Sequence, residues 1–197
     1  MNPITHFLVG WTALERLLPS RRDKALVCFS GLAPDLDGLG IVVDAFTRVA
    51  GLSETDLYQQ FHRVYGHGLP AAWVIAIAVA LCARLRTRTA LWSLVAVHLH
   101  FVCDLLGSRG STPEDIWPIY YLAPISMHPQ WSLSFQWPLV GWQNLVISAL
   151  LMLIAMERAT RTGYAPVVVF SARADAVFVG VLRGWRASLR RLFRRSP

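Results

Sequence analysis

The chain alternates long apolar blocks with short basic turns. The longest uncharged block is 137–156, WPLVGWQNLVISALLMLIAM. Its twenty residues suffice, as a helix, for a hydrocarbon core about 30 Å thick. A second block, 89–106 (TALWSLVAVHLHFVCDLL), and a third, 69–85 (LPAAWVIAIAVALCARL), are separated only by the turn that carries Arg84, Arg86 and Arg88. They predict a tight helical hairpin, with Pro70 in the first turn of its leading helix, where a missing N–H costs nothing. Two shorter blocks, 4–18 and 24–34, flank a second basic turn, Arg21-Arg22-Asp23-Lys24. Residues 165–182 are apolar but interrupted by Arg173 and Asp175. They predict an interfacial helix that runs on into the tail, not a further crossing. Segments 35–68 and 107–136 read as loops.

Composition supports a membrane. Of 197 residues, 54% are apolar and 16% charged, and the mean hydropathy is +0.42. Soluble domains carry about 25% charged residues. The fold class expected is all-α: a polytopic membrane bundle of about five membrane-embedded helices (residues 1–160), followed by an amphipathic basic helix and tail (161–197). No basic stretch precedes the first apolar block and no small-residue cleavage site follows it, so no secretory leader is expected. The three cysteines, Cys28, Cys82 and Cys103, lack zinc-site spacing and read as small buried residues, not as disulfides.

The net charge of +7 is uneven. Between 173 and 197 seven arginines face Asp175 alone, which leaves one net positive charge on the first 172 residues. A basic tail beside apolar segments points to anionic lipid head groups, not to a nucleic acid, for which the chain shows no spread basic face or reading module. The basic turns 21–24 and 84–88 and the end 158–161 belong on the cytoplasmic side by the positive-inside rule. The loops 35–68 and 107–136 then fall on the other side. Trp117, Trp131, Trp137 and Trp142, four of eight tryptophans, cluster there and suit an interfacial belt.

The unusual polar residues map to that same non-cytoplasmic end. His6 opens the first helix. Asp35 and Asp37 lie in A-P-D-L-D-G, His62 and His67 in H-R-V-Y-G-H, and His100 and Asp104 in the fourth block. Asp104 is about 24 Å along a helix from Arg88. His100 and Asp104, four apart, share one helix face. His98 points about 200° from His100 and stays out of the set. In an extended Asp-Leu-Asp turn the carboxylates point to opposite sides, so one can ligate while the other orients a histidine or a water. A loop through Gly66 can bring His62 and His67 inward together. Singly, each group has a plain reading: a helix–helix hydrogen bond for His6, a capped turn for P-D-L-D-G, a surface loop for His62, an ion pair for His100 with Asp104. Together, ionisable groups at membrane depth mark function, and several imidazoles with several carboxylates suit an N/O metal site. That composition favours zinc, with manganese as the alternative, as one or two divalent ions. An ion path would string such groups across the bilayer, and their clustering at one face argues against it.

These blocks resemble the YdjM-like family, LexA-regulated, membrane-bound metal-dependent hydrolases of bacterial inner membranes. The likeness rests on M-N-P-I-T-H (1–6), A-P-D-L-D-G (33–38), H-R-V-Y-G-H (62–67) and H-F-V-C-D (100–104) followed by L-L-G-S-R-G. It implies a multi-pass inner-membrane protein whose metal ligands are His6, Asp35, His67, His100 and Asp104, with Asp37 and His62 beside them as catalytic candidates. Gly66 stands where the family usually has threonine. Ser108 to Gly110 fits its small-residue step, and Pro124-Ile125-Ser126 corresponds to its P-F-S element. There is a fainter similarity to zinc-dependent phospholipase C in the early histidine, the downstream aspartate and the His-x-x-x-Asp helix.

The expected function is hydrolysis of a phosphoester or lipid-associated substrate. Asp37 serves as general base or orients a ligand, and Arg63, Arg109 and Ser108 hold an anionic group. Each arginine has a plain reading too, as a snorkelling interfacial side chain. The alternative from another class is a non-catalytic membrane protein with a structural, metal-sensing or transport site.

Overall fold

The computed structural model describes residues 1–194; Arg195–Pro197, the last of the basic tail, lie outside the described residues. The chain is all-α apart from one short hairpin. Helix α1 (Pro3–Leu14) starts where Asn2 Oδ1 accepts the Thr5 N–H at 2.9 Å. A 3-10 turn (Glu15–Leu17) leads to α2 (Arg21–Ser30), and a longer one (Ala33–Leu39) to α3 (Gly40–Val49) and α4 (Leu57–Phe61). The expected hairpin forms as α5 (Leu69–Cys82) and α6 (Arg86–Gly107). Strands β1 (Ile119–Tyr120) and β2 (Gln130–Trp131) pair antiparallel, Ile119 opposite Trp131. Helix α7 (Trp142–Thr162) ends at Gly163, whose left-handed φ of 84° closes the helix. After a turn at Pro166–Val169, α8 (Ala172–Arg194) packs back on α7.

Helix α6 is the hub, contacting α1, α2 and α5, while α1 also lies along α7. Small residues line these contacts: Ala72 and Ala76 on α5, Ala96 and Ser93 on α6, Ser30 on α2, Ala155 and Ala159 on α7. Ser93 Oγ donates to Ser30 Oγ at 2.6 Å. Large apolar side chains point outward instead, among them Trp73, Val74, Ile77 and Leu81 on α5 and Leu145, Leu150 and Leu153 on α7. Small residues inside and large ones outside is the arrangement of helices packing in lipid, where close backbone approach drives association.

The expectation of about five crossings is not met by helix length. Among the described residues only α6, 22 residues, is long and apolar enough to cross a membrane by itself. The pair Arg21–Ser30 and Ala33–Val49, bent by 50°, makes a second if taken as one broken span. Helices α1, α2 and α5 have 12, 10 and 14 residues. The block 137–156 does not form one uninterrupted helix. Its first five residues, Trp137–Gly141, form a turn held by Asn144, which donates to the carbonyls of Leu139 at 2.7 Å and Gly107 at 2.9 Å. Segment 35–68 also departs from the loop reading, since it contains α3 and α4. Asp44 staples them: its Oδ1 accepts from the Thr55 hydroxyl at 2.7 Å and the Leu57 N–H at 2.9 Å, its Oδ2 from the Tyr58 N–H at 2.8 Å. Cys28 and Cys103 are buried as expected, but Cys82, the last residue of α5, is exposed.

The two basic turns meet at one end of the bundle, where Asp23 Oδ1 accepts the Arg84 N–H at 2.9 Å. The imidazoles and carboxylates gather at the other.

Candidate metal centre

The turn Ala33–Leu39 winds as a 3-10 helix, not as an extended strand, yet Asp35 and Asp37 still take separate tasks. Asp37 faces the loop 62–67. Its Oδ1 accepts from His62 Nδ1 at 2.9 Å, and its Oδ2 accepts the Arg63 and Gly66 N–H groups at 2.8 Å each and His67 Nδ1 at 3.1 Å. Both oxygens are thus occupied by donors, so of the two roles open to Asp37 the geometry presents the orienting one. Gly66 is required here. A Cβ would collide with the Pro34 carbonyl and lie 2.9 Å from Asp37 Oδ2, which explains why no threonine fits at this position.

Asp35 faces the cluster. Its Oδ1 lies 3.8 Å from His67 Nε2 and 3.7 Å from His100 Nε2. Asp104, one turn beyond His100 on α6, lies between three imidazoles: its Oδ2 is 3.2 Å from His100 Nε2 and 3.3 Å from His67 Nε2, and its Oδ1 is 3.3 Å from His6 Nε2. The Met1 amino group and the Ser108 hydroxyl, the latter at 2.8 Å, donate to Asp104 Oδ1. The His6 ring stacks on His100 at a centroid distance of 3.7 Å.

Proton positions follow from the partners. The Gly31 carbonyl can only accept, so His100 Nδ1, 2.8 Å away, carries a proton. The Asp37 carboxylate likewise fixes the proton of His67 on Nδ1. The neutral rings then present two Nε2 lone pairs to each other across 3.0 Å, with the Asp104 and Asp35 oxygens beside them. Such a contact is stable only with positive charge between the rings. Burial opposes charge on His67, but hydrogen bonds to Asp104 and Asp37 outweigh it and lift its pKa to about 9. The donor set fits a divalent cation: imidazole Nε2 atoms and carboxylate oxygens converge, and each of these two histidines is held through its other nitrogen, the usual outer-shell support of a metal ligand. His6 Nδ1 and Asp35 Oδ2 are moreover buried without a partner. His6, Asp35, His100 and Asp104 offer ligand atoms all within 4.8 Å of one another, and Asp37, His62 and His67 form a second such group alongside. The second group is already tied together by the donors that Asp37 accepts, so the first is the candidate ion site, and the donor types do not fix the metal's identity.

Beside the cluster lies a cleft of about 1040 Å³ whose wall includes Asp35, His62, Arg63, Asp104 and Ser108. Burial draws the Arg63 guanidinium down to about 10, against the pull of the nearby Asp104, Tyr58 and Asp37 groups. Arg109 is placed elsewhere: it is not among the residues lining the cleft, and its Nε donates to the Gln136 carbonyl at 2.9 Å. Ser108 donates to Asp104 and accepts from the Met1 amino group, and so positions Asp104. His98 stays outside, its Nδ1 donating to the Leu94 carbonyl at 2.8 Å.

Other contributors are absent from the sequence reading. Gln136 Nε2 donates to the carbonyls of Asp104 at 3.0 Å and Leu105 at 3.2 Å, capping the end of α6 that carries the ligands. Trp117 lies under Arg63, and the Gly31 carbonyl orients His100. Only the tryptophan cluster in 107–136 gave a signal; a backbone carbonyl and a lone glutamine give none.

Comparison with known proteins gives a family match: the family model described as YdjM inner membrane protein covers residues 1–186. No curated protein and no solved structure matches the chain, and the fainter similarity to zinc-dependent phospholipase C has no counterpart among these results.

Proposed function

Because the chain belongs to the YdjM inner membrane protein family, we propose that it is a membrane-bound metal-dependent hydrolase of phosphoesters, with its centre at the non-cytoplasmic face. The observation that carries the reading is the pair of Nε2 atoms of His67 and His100, 3.0 Å apart beside Asp104, with both Nδ1 protons already committed. His6, Asp35, His67, His100 and Asp104 would hold the ion, zinc or manganese by donor type. When bound, such an ion lowers the pKa of a coordinated water from about 15.7 toward about 7 and polarises the scissile oxygen.

The remaining steps belong to the protein. Asp37 accepts the Nδ1 proton of His62 at 2.9 Å, which leaves His62 Nε2 as the basic nitrogen on the cleft wall. In this reading water oxygen bonds to phosphorus, the phosphorus–oxygen ester bond breaks, and His62 Nε2 passes the water proton to the leaving alkoxide. General acid–base transfer of this kind contributes typically about 10²–10⁴-fold.

The outward apolar residues support a membrane-embedded bundle in which α6 would be one crossing and the other helices would complete a multi-pass arrangement. Helix α8 would lie on the cytoplasmic surface: Val177, Val181, Trp185, Leu189 and Leu192 form an exposed apolar stripe beside Arg183, Arg186 and Arg190, a pattern that suits anionic head groups.

The test is purified protein assayed for bound metal and for hydrolysis of a chromogenic phosphodiester and phosphomonoester. We expect metal-dependent turnover that falls at least 100-fold in His62→Ala with metal content unchanged. Stoichiometric metal without turnover of either ester would reject the enzymatic reading in favour of a structural or sensing site.

A further inference from the structure

The cleft beside the cluster has two unlike halves. Its inner wall holds Arg63, only 7% exposed, whose guanidinium carbon sits 3.6 Å from the Trp117 ring centroid. Among the described residues Arg63 forms no ion pair, and its Nε is buried without a partner. Its backbone is held at φ 72°, a left-handed conformation that non-glycine residues adopt at a cost, by the N–H that it gives to Asp37. An arginine fixed in place, desolvated and left without a carboxylate is arranged for an anion from outside.

The outer half is apolar and open. Ile4 at the start of α1, Leu39 on the 33–39 turn, Val140 in the turn before α7 and Leu145 in its first turn line it, and Val140 is 93% exposed. This rim is continuous with the outward face of α7, where Leu145, Leu150 and Leu153 meet lipid in the reading given above. A soluble phosphoester has no use for such a rim. An acyl chain does.

We propose that the substrate is a membrane phospholipid, its anionic phosphate held by Arg63 at the cation cluster and its acyl chains leaving through the apolar mouth between the N-terminal ends of α1 and α7. This rests on the hydrolase reading and adds the source of the phosphoester: the ligand arrives sideways from the bilayer and not from water.

The experiment uses the full chain in detergent micelles and, as probes, a non-hydrolysable phosphonate analogue of phosphatidylglycerol and the same headgroup phosphonate without chains. Binding is read by native mass spectrometry, alongside hydrolysis of the parent lipid. Expected are at least tenfold tighter binding of the chained probe, a tenfold or greater loss of that binding in Arg63→Gly, which relieves the left-handed backbone, with partial recovery in Arg63→Lys, and a tenfold or greater fall in the chained-to-chainless affinity ratio in Val140→Gln/Leu145→Gln. Equal affinity for the two probes, no binding of the chained probe, or indifference to Arg63→Gly would overturn the proposal. Turnover of a soluble phosphodiester but not of the lipid would overturn it while leaving the hydrolase reading intact. Arg63-dependent binding of the chained probe without turnover of any ester would overturn the hydrolase reading, and with it the phospholipid's role as substrate, leaving the phospholipid as a ligand of the cleft.

Discussion

The two ends of the bundle bury charge in opposite ways. At the basic end Glu15, 2% exposed, is fully answered: Tyr164 donates to it at 2.7 Å, Lys24 Nζ lies 3.7 Å away and Arg16 Nε 3.3 Å. Lys24 in turn sits 4.0 Å from the Tyr164 ring centroid. Burial and Glu15 push the Tyr164 hydroxyl up to about 12. Both Glu15 oxygens have partners there, although Asp23 Oδ2 nearby is buried without one. At the other end Asp35, Asp104 and the Nε2 atoms of His67 and His100 turn acceptors toward a common centre, while Asp37, Gly31 and Ser108 keep them in that pose. At one end a carboxylate is met by cations and a hydroxyl; at the other, acceptors converge on one another, which is the arrangement behind the proposed cation site. A buried polar network that balances itself describes architecture, and one that converges unbalanced describes a site.

The comparison breaks most sharply at Asp104. Asp104→Asn removes the carboxylate nearest all three imidazoles, and metal content by mass spectrometry should fall to background with turnover reduced more than 100-fold. Glu15→Gln at the opposite end should leave metal content unchanged. If both variants keep the metal, the distinction between the ends is wrong. A smaller effect is expected at Asp37, whose two oxygens are taken up by His62, Arg63, Gly66 and His67 and which in the proposed reading orients a ligand. Asp37→Asn should weaken metal affinity about 10–100-fold, as outer-shell changes typically do, measured by competition with a chromogenic chelator.

Chelation should sharpen the contrast further. A ligand at 100 times its Kd stabilises the folded state by about 2.7 kcal/mol. Removing the ion should therefore lower the melting temperature of the wild type and leave that of Asp104→Asn in place. Smallest is Tyr164→Phe, which deletes one hydrogen bond to Glu15. It should cost about 1–2 kcal/mol by denaturant titration with metal content and turnover untouched.

Much of this contrast is legible in the residues themselves. The runs 69–85 and 89–106 give α5 and α6 because both are long and mainly apolar and the basic turn between them marks the break. The seven histidines and aspartates of the site stand out because such groups are rare in apolar blocks. Their separate tasks do not follow from spacing. Asp35 and Asp37 are two residues apart, and only the 3-10 winding of 33–39 and the packing of the 62–67 loop decide which carboxylate meets the cluster. Arg63 and Arg109 look alike along the chain, yet one lines the cleft and the other is drawn to the Gln136 carbonyl. Helix α3 was hidden because its apolar residues Ile41, Val42, Phe46 and Val49 are exposed instead of being buried in a core. Block 137–156 departs from a continuous helix at its front, where the Asn144 side chain takes carbonyls that a helix would have used.

The excursion from Gly38 to Phe61 leaves and returns to the same carboxylate, Asp37, and is fastened internally by Asp44. It is therefore a self-fastened helical excursion whose two ends meet at one carboxylate. Since Leu39 and Tyr58 line the cleft from it, substitutions within that stretch reach the chamber's wall without touching the imidazole–carboxylate cluster beneath.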